Sequence, residues 1–208
     1  MDNNTFKRNE LLAQTVIKGL KSRNMNGYYA ASKADALMLA LELIPEGSSV
    51  GKGGTMTVEE IGLLDEMRSG KYKFIDREAM DRNVASRMNY DADFFIGSVN
   101  AMTDDGVLIN IDGSSDRVSA YAYGPKKLVL IVGMNKVCSD FDSALKRARN
   151  VAAVANAQRF NIDTPCKKLG KCMDCKNPDT ICCQFLITRY SRDGERIHVI
   201  LVNDELGY

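Results

Sequence analysis

The chain of 208 residues has no tryptophan, one histidine, four prolines and almost no net charge. The single histidine, His198, lies inside an apolar segment, which disfavours Ser-His-Asp or Cys-His hydrolase chemistry. A net charge of +1 removes the electrostatic case for binding nucleic acid or an anionic membrane surface. No apolar run reaches the roughly 18 residues of a membrane-spanning helix. These absences favour a globular protein that acts on small molecules or on other proteins.

The composition predicts an ordinary cytoplasmic domain. Hydrophobic residues make up 45% of the chain and charged residues 26%, which is typical of a soluble protein with a substantial core. The first residues are polar and lack the apolar centre of a secretion signal. In a reducing cytoplasm, the six cysteines indicate metal ligands or reactive thiols before structural disulfides.

Hydrophobic periodicity predicts alternating helices and strands. Residues 1–45 are predicted as N-terminal helices that pack on the core, the second of them capped by Ser32. Residues 46–208 alternate between short strands and helices, and Leu128–Val132 is apolar throughout, as in a parallel strand covered on both faces. The predicted fold is a three-layer Rossmann-like α/β domain with a mostly parallel sheet, an N-terminal helical segment and a Cys-rich loop at 165–183.

A glycine-rich turn, Lys52–Thr55, connects a short strand to a helix predicted from Thr57 to about Arg68. Glycines allow a ligand to approach the backbone closely, and Glu60 completes a capping box with Thr57. Free amides at the start of a helix, together with the Lys52 ammonium, predict an anion site. The spacing matches neither a dinucleotide fingerprint nor a P-loop. The alternative is a tight turn that binds nothing.

Acidic residues flank the predicted strand Val107–Ile111. Neighbouring carboxylates raise the pKa of one another, which general acid–base catalysis needs, so Asp104, Asp105 and Asp112 are the predicted catalytic residues. The alternative is that Asp-Asp-Gly and Asp-Gly-Ser are ordinary turn sequences. Basic and amide side chains near the strand ends are predicted to bind a carboxylate or phosphate. The predicted ligand-binding residues are Lys52, Gly53, Gly54, Thr55, Asn110, Arg117, Lys126, Asn135 and Lys136.

Five cysteines lie close together in the sequence between residues 166 and 183. Cys172 and Cys175 form a C-x-x-C pair, and Cys166 with Cys182 would complete four thiolate ligands for a metal ion. Zinc is favoured over an iron–sulfur cluster, because the spacing differs from the C-x2-C-x2-C run of ferredoxins. Free buried thiols and a Cys172–Cys175 redox pair are the alternatives.

Several segments together resemble the LUD (lactate utilisation) domain family. They are Val50–Gly62, Gly97–Gly106, Asn110–Val118, Gly124–Lys127, Val132–Lys136, Pro165–Cys175 and Leu201–Tyr208. The resemblance implies an α/β fold similar to sugar-phosphate isomerases and coenzyme A transferases, with ligands at the carboxyl ends of strands, as in open α/β sheets generally. Family members commonly have the pattern D-G-x-G-N-R, whereas this chain has Ser115 and Asp116 in place of the second glycine and the asparagine.

The resemblance also implies a function. It predicts a subunit or accessory component in the oxidation of lactate to pyruvate, which binds a small anionic ligand and works with iron–sulfur oxidoreductase subunits. A homodimer is compatible with the sequence, and whether the chain is itself catalytic stays open. One alternative is a stand-alone enzyme on sugar-phosphate or coenzyme A-linked substrates, and another is a metal or redox sensor built on the cysteines.

The cysteine hypothesis predicts that Cys172→Ser lowers bound metal to near zero and loosens residues 160–185 while the core stays folded. The reason is that the C-x-x-C pair supplies two of the four proposed ligands. Metal analysis and melting curves of the purified proteins measure this, with Cys138→Ser as the control outside the segment. Equal metal content in wild type and Cys172→Ser would contradict the hypothesis.

Overall fold

The computed structural model describes residues 2–208. The strands are β1 (Asn26–Ala30), β2 (Ser49–Lys52), β3 (Lys73–Ile75), β4 (Phe94–Gly97), β5 (Ala101–Thr103), β6 (Leu108–Asp112), β7 (Lys127–Gly133), β8 (Val137–Cys138), β9 (Gln184–Thr188) and β10 (Ile197–Val202). The α-helices are α1 (Asn3–Ser22), α2 (Lys33–Leu43), α3 (Met56–Glu60), α4 (Leu63–Met67), α5 (Arg82–Met88), α6 (Asp116–Ala122), α7 (Phe141–Arg147), α8 (Ala153–Ala157) and α9 (Pro165–Leu169). Over residues 2–208, none of these helices has both the length and the apolar character that crossing a bilayer requires.

The main sheet has six strands in the order β1-β10-β7-β4-β2-β3, and every neighbouring pair is parallel. Parallel neighbours need long crossover connections, which the helices between them supply. The carboxyl ends of all six strands therefore lie along one edge of the sheet. The predicted α/β fold with a mostly parallel sheet is confirmed.

Both faces of the main sheet are covered, so the domain has three layers. Along β7, Leu128, Leu130 and Val132 pack against α1 and α6, whereas Val129 and Ile131 pack against α2, α3 and α4. Alternate side chains of a strand point to opposite faces, and both faces here are apolar, as in a buried parallel strand. The continuous apolar run of β7 follows from this double burial.

A second sheet, β8-β5-β6-β9, packs on the α1 side of the domain. Its β5–β6 and β6–β9 pairs are antiparallel, and its β5–β8 pair is parallel. The sequence analysis did not predict β9, which follows the cysteines directly. It did not predict β1 either: residues 26–30 add a strand to the main sheet, so the segment 1–45 is not wholly helical.

The predicted single helix from Thr57 to Arg68 is wrong, as is its capping box. The chain forms α3 and α4 instead, separated at Gly62, whose φ of +78° interrupts helical geometry. Thr55 is the residue at the start of α3, and its side chain makes no capping hydrogen bond. Glu60 accepts a hydrogen bond from the Gly207 amide at 3.0 Å, so its carboxylate binds the C-terminal segment instead of capping a helix.

Tyr121, on α6, fastens that helix to the end of β4. Its fully buried hydroxyl accepts a hydrogen bond from the Ser98 amide at 3.1 Å and donates one to the Ser98 carbonyl at 2.8 Å. Gly97 makes this contact sterically feasible, because a Cβ there would lie 2.1 Å from the Tyr121 hydroxyl oxygen. The close approach holds α6 against the strand.

Gly97→Ala should therefore destabilise the protein by about 1–3 kcal/mol, the usual cost of inserting a methyl group into a packed core. Denaturant unfolding measures the change. Gly54→Ala is the matched control, since a Cβ at Gly54 has no neighbour within 4 Å. In a Tyr121→Phe background, Gly97→Ala should lower the free energy of unfolding by less. An equal loss in both backgrounds would show that the Tyr121 hydroxyl is not the group with which the added methyl collides.

Candidate functional site

A cavity of about 460 Å³ lies at the carboxyl edge of the main sheet. The adjacent strands β2, β4 and β7 end there, and the segments that follow them contribute Gly54, Thr55, Ser98 and Lys136 to its wall. The turn after β6 closes the cavity from the side of the second sheet. This is the position at which open α/β sheets bind ligands.

Lys136 lies at the inner wall of the cavity and is 2% exposed. Its ammonium donates hydrogen bonds to the Thr57 and Ser98 hydroxyls, both at 3.0 Å. Within residues 2–208, no carboxylate forms an ion pair with it. Burial, followed by the charge of Arg147, lowers the pKa of Lys136 to about 7, with Glu60 acting in the opposite direction and Arg117 in the same direction. The site therefore contains a buried cation whose charge is not balanced.

Arg117, at the first turn of α6, lies beside Lys136 in the cavity wall. Its guanidinium donates to the Asn110 side chain at 2.8 Å and to the Ile111 carbonyl at 2.5 Å, and its cation lies 5.5 Å from the Tyr121 ring centre. Most of its N–H groups are thus directed at the protein. Arg117 therefore supplies a fixed positive charge to the cavity, and few of its N–H groups are left for a bidentate contact with a ligand.

Asp112 lines the cavity, but its carboxylate is already engaged. It accepts hydrogen bonds from the amides of Ser114, Ser115 and Val118 at 3.1–3.3 Å, and it lies 3.6 Å from Arg117. These contacts cap the start of α6. Ser115 has a φ of +66°, the left-handed conformation that glycine adopts readily, at the position where the family pattern has glycine.

Arg147, on α7, holds together two loops that form the inner wall. Its guanidinium donates to the Asn135 carbonyl at 2.8 Å and to the Asn100 carbonyl at 2.6 Å. These carbonyls belong to the segments that follow β7 and β4. Arg147 thereby fixes the distance between the Lys136 and Ser98 segments, and its own pKa is lowered by burial.

The outer part of the cavity has its own charged cluster. Arg82 contacts Asp116 at 3.1 Å and Ser114 at 3.0 Å, and Arg77 contacts Asp116 at 3.4 Å. Arg159 also lines the cavity and forms no ion pair within the described residues. Five basic and three acidic side chains line the whole cavity, so positive charge is in excess.

The Cys-rich segment contributes an apolar wall. Phe160 and Ile162 precede the cysteines and Ile181 lies among them, and all three line the cavity. A Cβ at Gly113 would approach the Ile181 backbone to 3.1 Å, so the segment packs closely on the turn after β6. The conformation of residues 160–181 therefore affects the shape of the cavity.

The structure brings together about half of the predicted site. Gly54, Thr55, Asp112, Arg117 and Lys136 line the cavity. Other predicted residues support its wall. Gly53 leaves room for the Arg117 side chain, Lys52 pairs with Glu78 at 2.6 Å, Asn110 holds Arg117, and the Asn135 side chain accepts a hydrogen bond from the Leu206 amide.

Three predicted site residues lie elsewhere. Asp104 and Asp105 lie in the turn between β5 and β6, at the opposite end of β6 from Asp112. At about 3.3 Å per residue, the length of β6 separates the two ends by roughly 13 Å. Asp105 is engaged with Arg23 and Thr103. Lys126 precedes β7, at the opposite edge of the sheet, and pairs with Asp93 at 2.8 Å. The geometry gives no support to a catalytic role for the first two or a binding role for the third.

The cysteines Cys166, Cys172, Cys175 and Cys182 are free and half-buried, whereas Cys183 is exposed. Within residues 2–208, no three His, Cys, Asp or Glu side chains are arranged to hold a metal ion. Burial, and then the charges of the other thiols, raise the pKa of Cys182 to about 11, which disfavours its thiolate. Metal binding at these cysteines therefore stays a prediction.

The single histidine has a structural role. The His198 ring contacts the Tyr28 hydroxyl at 3.0 Å through Nδ1 and the Glu195 carbonyl at 2.9 Å through Nε2. A carbonyl can only accept, so Nε2 carries the proton and Nδ1 accepts from Tyr28. Burial lowers its pKa, and the ring does not line the cavity.

Several cavity residues were missed by the sequence analysis. Ser98 directly follows β4, so the rule that ligands bind at strand carboxyl ends would have indicated it. Arg77, Arg82 and Arg159 carried no comparable signal, because their motifs are ordinary charged surface sequences. Only the path of the chain brings them to the cavity.

Comparisons with known proteins agree with this architecture. The family model of the LUD domain matches residues 13–202, and the chain belongs to that family. Its structure is similar to that of a DUF162 family protein from Deinococcus radiodurans, with a TM-score of 0.54 and 12% identity over 93% of this chain and 98% of that one. At this identity the likeness concerns the fold alone. A search of the curated proteins finds no match.

The charge state of Lys136 generates a prediction about stability. The folded pKa of about 7 lies below the ordinary 10.5, so the unfolded chain binds more protons between these values. The cost of burying this lysine is therefore full below about pH 7 and disappears as the pH approaches 10.5. We expect Lys136→Met to stabilise the protein by about 1–4 kcal/mol near pH 6, with the gain vanishing near pH 10.5.

Urea unfolding over this pH range measures both effects. Lys126→Met is the control, because Lys126 is exposed and its removal should change stability by less than about 1 kcal/mol. A gain from Lys136→Met that does not vary with pH would show that the buried amine is not the titrating group.

Proposed function

We propose that this LUD-family chain binds a small organic anion in the cavity as a component of lactate utilisation. The observation that carries the proposal is Lys136, a buried cation without a carboxylate partner at the inner wall. A buried charge is costly unless it is paired, and a bound carboxylate would supply the missing partner. The ligand class is a hydroxy or oxo acid such as lactate or pyruvate.

The surroundings of Lys136 favour an anion over a neutral ligand. Arg117 adds positive charge next to it, while the three acidic side chains of the wall are already engaged by Arg117, by Lys52 and by the pair Arg77 and Arg82. Thr55 also lines the cavity, and within the described residues its buried hydroxyl has no hydrogen-bond partner. A ligand with a hydroxyl or carbonyl beside its carboxylate could use both groups.

We assign the chain an accessory or subunit role in the oxidation of lactate to pyruvate. The carboxylate expected to act as a base, Asp112, is occupied by three backbone amides, which suits a structural role. Removing two electrons from lactate requires an acceptor, and an iron–sulfur oxidoreductase subunit would supply one. The chain would then contribute the recognition of the organic acid.

The outer cavity favours a second candidate, an enzyme acting on sugar phosphates or coenzyme A-linked substrates. A three-carbon acid would fill only part of 460 Å³, and the lining also includes Arg82 and Arg159, which are exposed, in contrast to the buried Lys136. Arginine is well suited to bind phosphate. A longer ligand could place its carboxylate near Lys136 and a phosphate near these arginines.

Titration calorimetry distinguishes the two candidates. For lactate or pyruvate, Lys136→Met should weaken binding at least tenfold, about 1.4 kcal/mol, because it removes the partner of the carboxylate. Lys126→Met is the control: it makes the same substitution at the opposite edge of the sheet, and this variant should bind lactate and pyruvate like wild type. Arg82→Ala should weaken the binding of phosphorylated ligands only.

The affinity for lactate should also fall as the pH rises from about 6 to 9, since Lys136 loses its proton in that range. Binding of lactate that is equal in wild type and Lys136→Met would overturn the proposed site. Binding of a sugar phosphate but not of lactate would favour the second candidate.

A further inference from the structure

We infer that Lys136 is a covalent capture residue, which forms a reversible imine with ligands that carry a carbonyl beside a carboxylate, the 2-oxo acids. This inference rests on the proposed function, because it deepens the chemistry of the same cavity. It assigns Lys136 a bond to the ligand in place of a purely electrostatic contact. It also narrows the preferred ligand from organic acids in general to pyruvate, the oxidised member of the pair lactate and pyruvate.

The hydrogen bonds of Lys136 are the first support. Its nitrogen contacts two hydroxyl oxygens, those of Thr57 and Ser98, both at 3.0 Å. A neutral amine has two N–H bonds and one lone pair. With both N–H bonds directed at these hydroxyls, the remaining tetrahedral position holds the lone pair, and all three residues line the cavity. In the neutral amine the lone pair is therefore not used by either of these hydrogen bonds.

The charges around the nitrogen are the second support. Arg117 on α6 and Arg147 on α7 act against a third positive charge, and Glu60 at the end of α3 is the acidic group that opposes them. Lysines become nucleophilic when they are desolvated or lie next to another cation, and both conditions hold here. The pKa of about 7 means that a large fraction of the amine is neutral at physiological pH.

The chemical step requires no oxidant or metal. The Lys136 nitrogen attacks the C2 carbonyl carbon, and the carbonyl π electrons move to oxygen to form a carbinolamine. The two hydrogens of the amine leave with that oxygen as water, and a C=N bond replaces the C=O bond. Protonation of the imine nitrogen gives an iminium. Arg117 would not stabilise this cation directly, but would attract the ligand carboxylate next to it. Hydrolysis reverses the sequence.

Reductive trapping tests the inference directly. The purified chain is incubated with pyruvate and sodium cyanoborohydride near neutral pH, where hydride addition to the iminium carbon gives a stable secondary amine on the lysine. Peptide mapping by mass spectrometry then locates the label in the wild type without any variant. We expect the Lys136 peptide to be labelled at least about a hundredfold faster than the Lys126 peptide, since an exposed lysine is almost fully protonated.

Matched variants and ligands provide the controls. Lys136→Arg keeps the positive charge but should abolish the label, whereas Lys126→Arg should leave it unchanged. Lactate has a hydroxyl at C2 in place of the ketone carbonyl, so it should form no adduct and should compete with pyruvate for the site. Calorimetry with lactate, without reductant, reports the anion site independently.

The outcomes separate this inference from the proposed function. Binding of lactate and pyruvate with no adduct at Lys136 would overturn the imine and leave the anion site standing. Equal labelling of Lys136 and exposed lysines would also overturn it. A saturable adduct at Lys136 without any lactate binding would support the imine and contradict the lactate role. No adduct and no binding would overturn both.

Discussion

The cavity depends on the contact between one tyrosine hydroxyl and the end of one strand. The Tyr121 hydroxyl bonds to both the amide and the carbonyl of Ser98, and Gly97 leaves the space that this approach needs. Arg117 lies one turn earlier on the same helix and stacks on the Tyr121 ring. This buried group therefore ties α6 to the end of β4, and so links the helix that carries Arg117 to the Ser98 segment, whose hydroxyl contacts Lys136.

An unequal distribution of charge follows from this geometry. The acidic side chains of the wall are neutralised by arginines or a lysine, or are bonded to the amides at the start of α6, whereas Lys136 has only hydroxyl partners. Desolvation then lowers the pKa of Lys136, because the charge of Glu60, which acts in the opposite direction, does not offset it. The same imbalance explains both the expected attraction for an organic anion and the expected reactivity of the neutral amine.

Local patterns predicted the parts of the fold that local interactions control. Ser32 caps its helix by accepting a hydrogen bond from the amide three residues on, and the apolar run Leu128–Val132 forms a strand buried on both faces. The errors fall where distant residues compete with local ones. Thr57 matches a capping pattern, yet its hydroxyl accepts from Lys136, and residues 26–30 become a strand because β10 lies beside them.

The sequence by itself determined the class of fold, the family and part of the site. Parallel strands place their carboxyl ends on one edge, so Gly54 and Lys136, which follow β2 and β7, could be predicted to converge. Only the tertiary structure decided which charges stay unpaired. Asp105 is neutralised by Arg23, which lies 82 residues away in the sequence, and Asp112 caps a helix, whereas Lys136 is buried between two hydroxyls. Charge pairing depends on distance in space, and residue order does not encode that distance until the chain is folded.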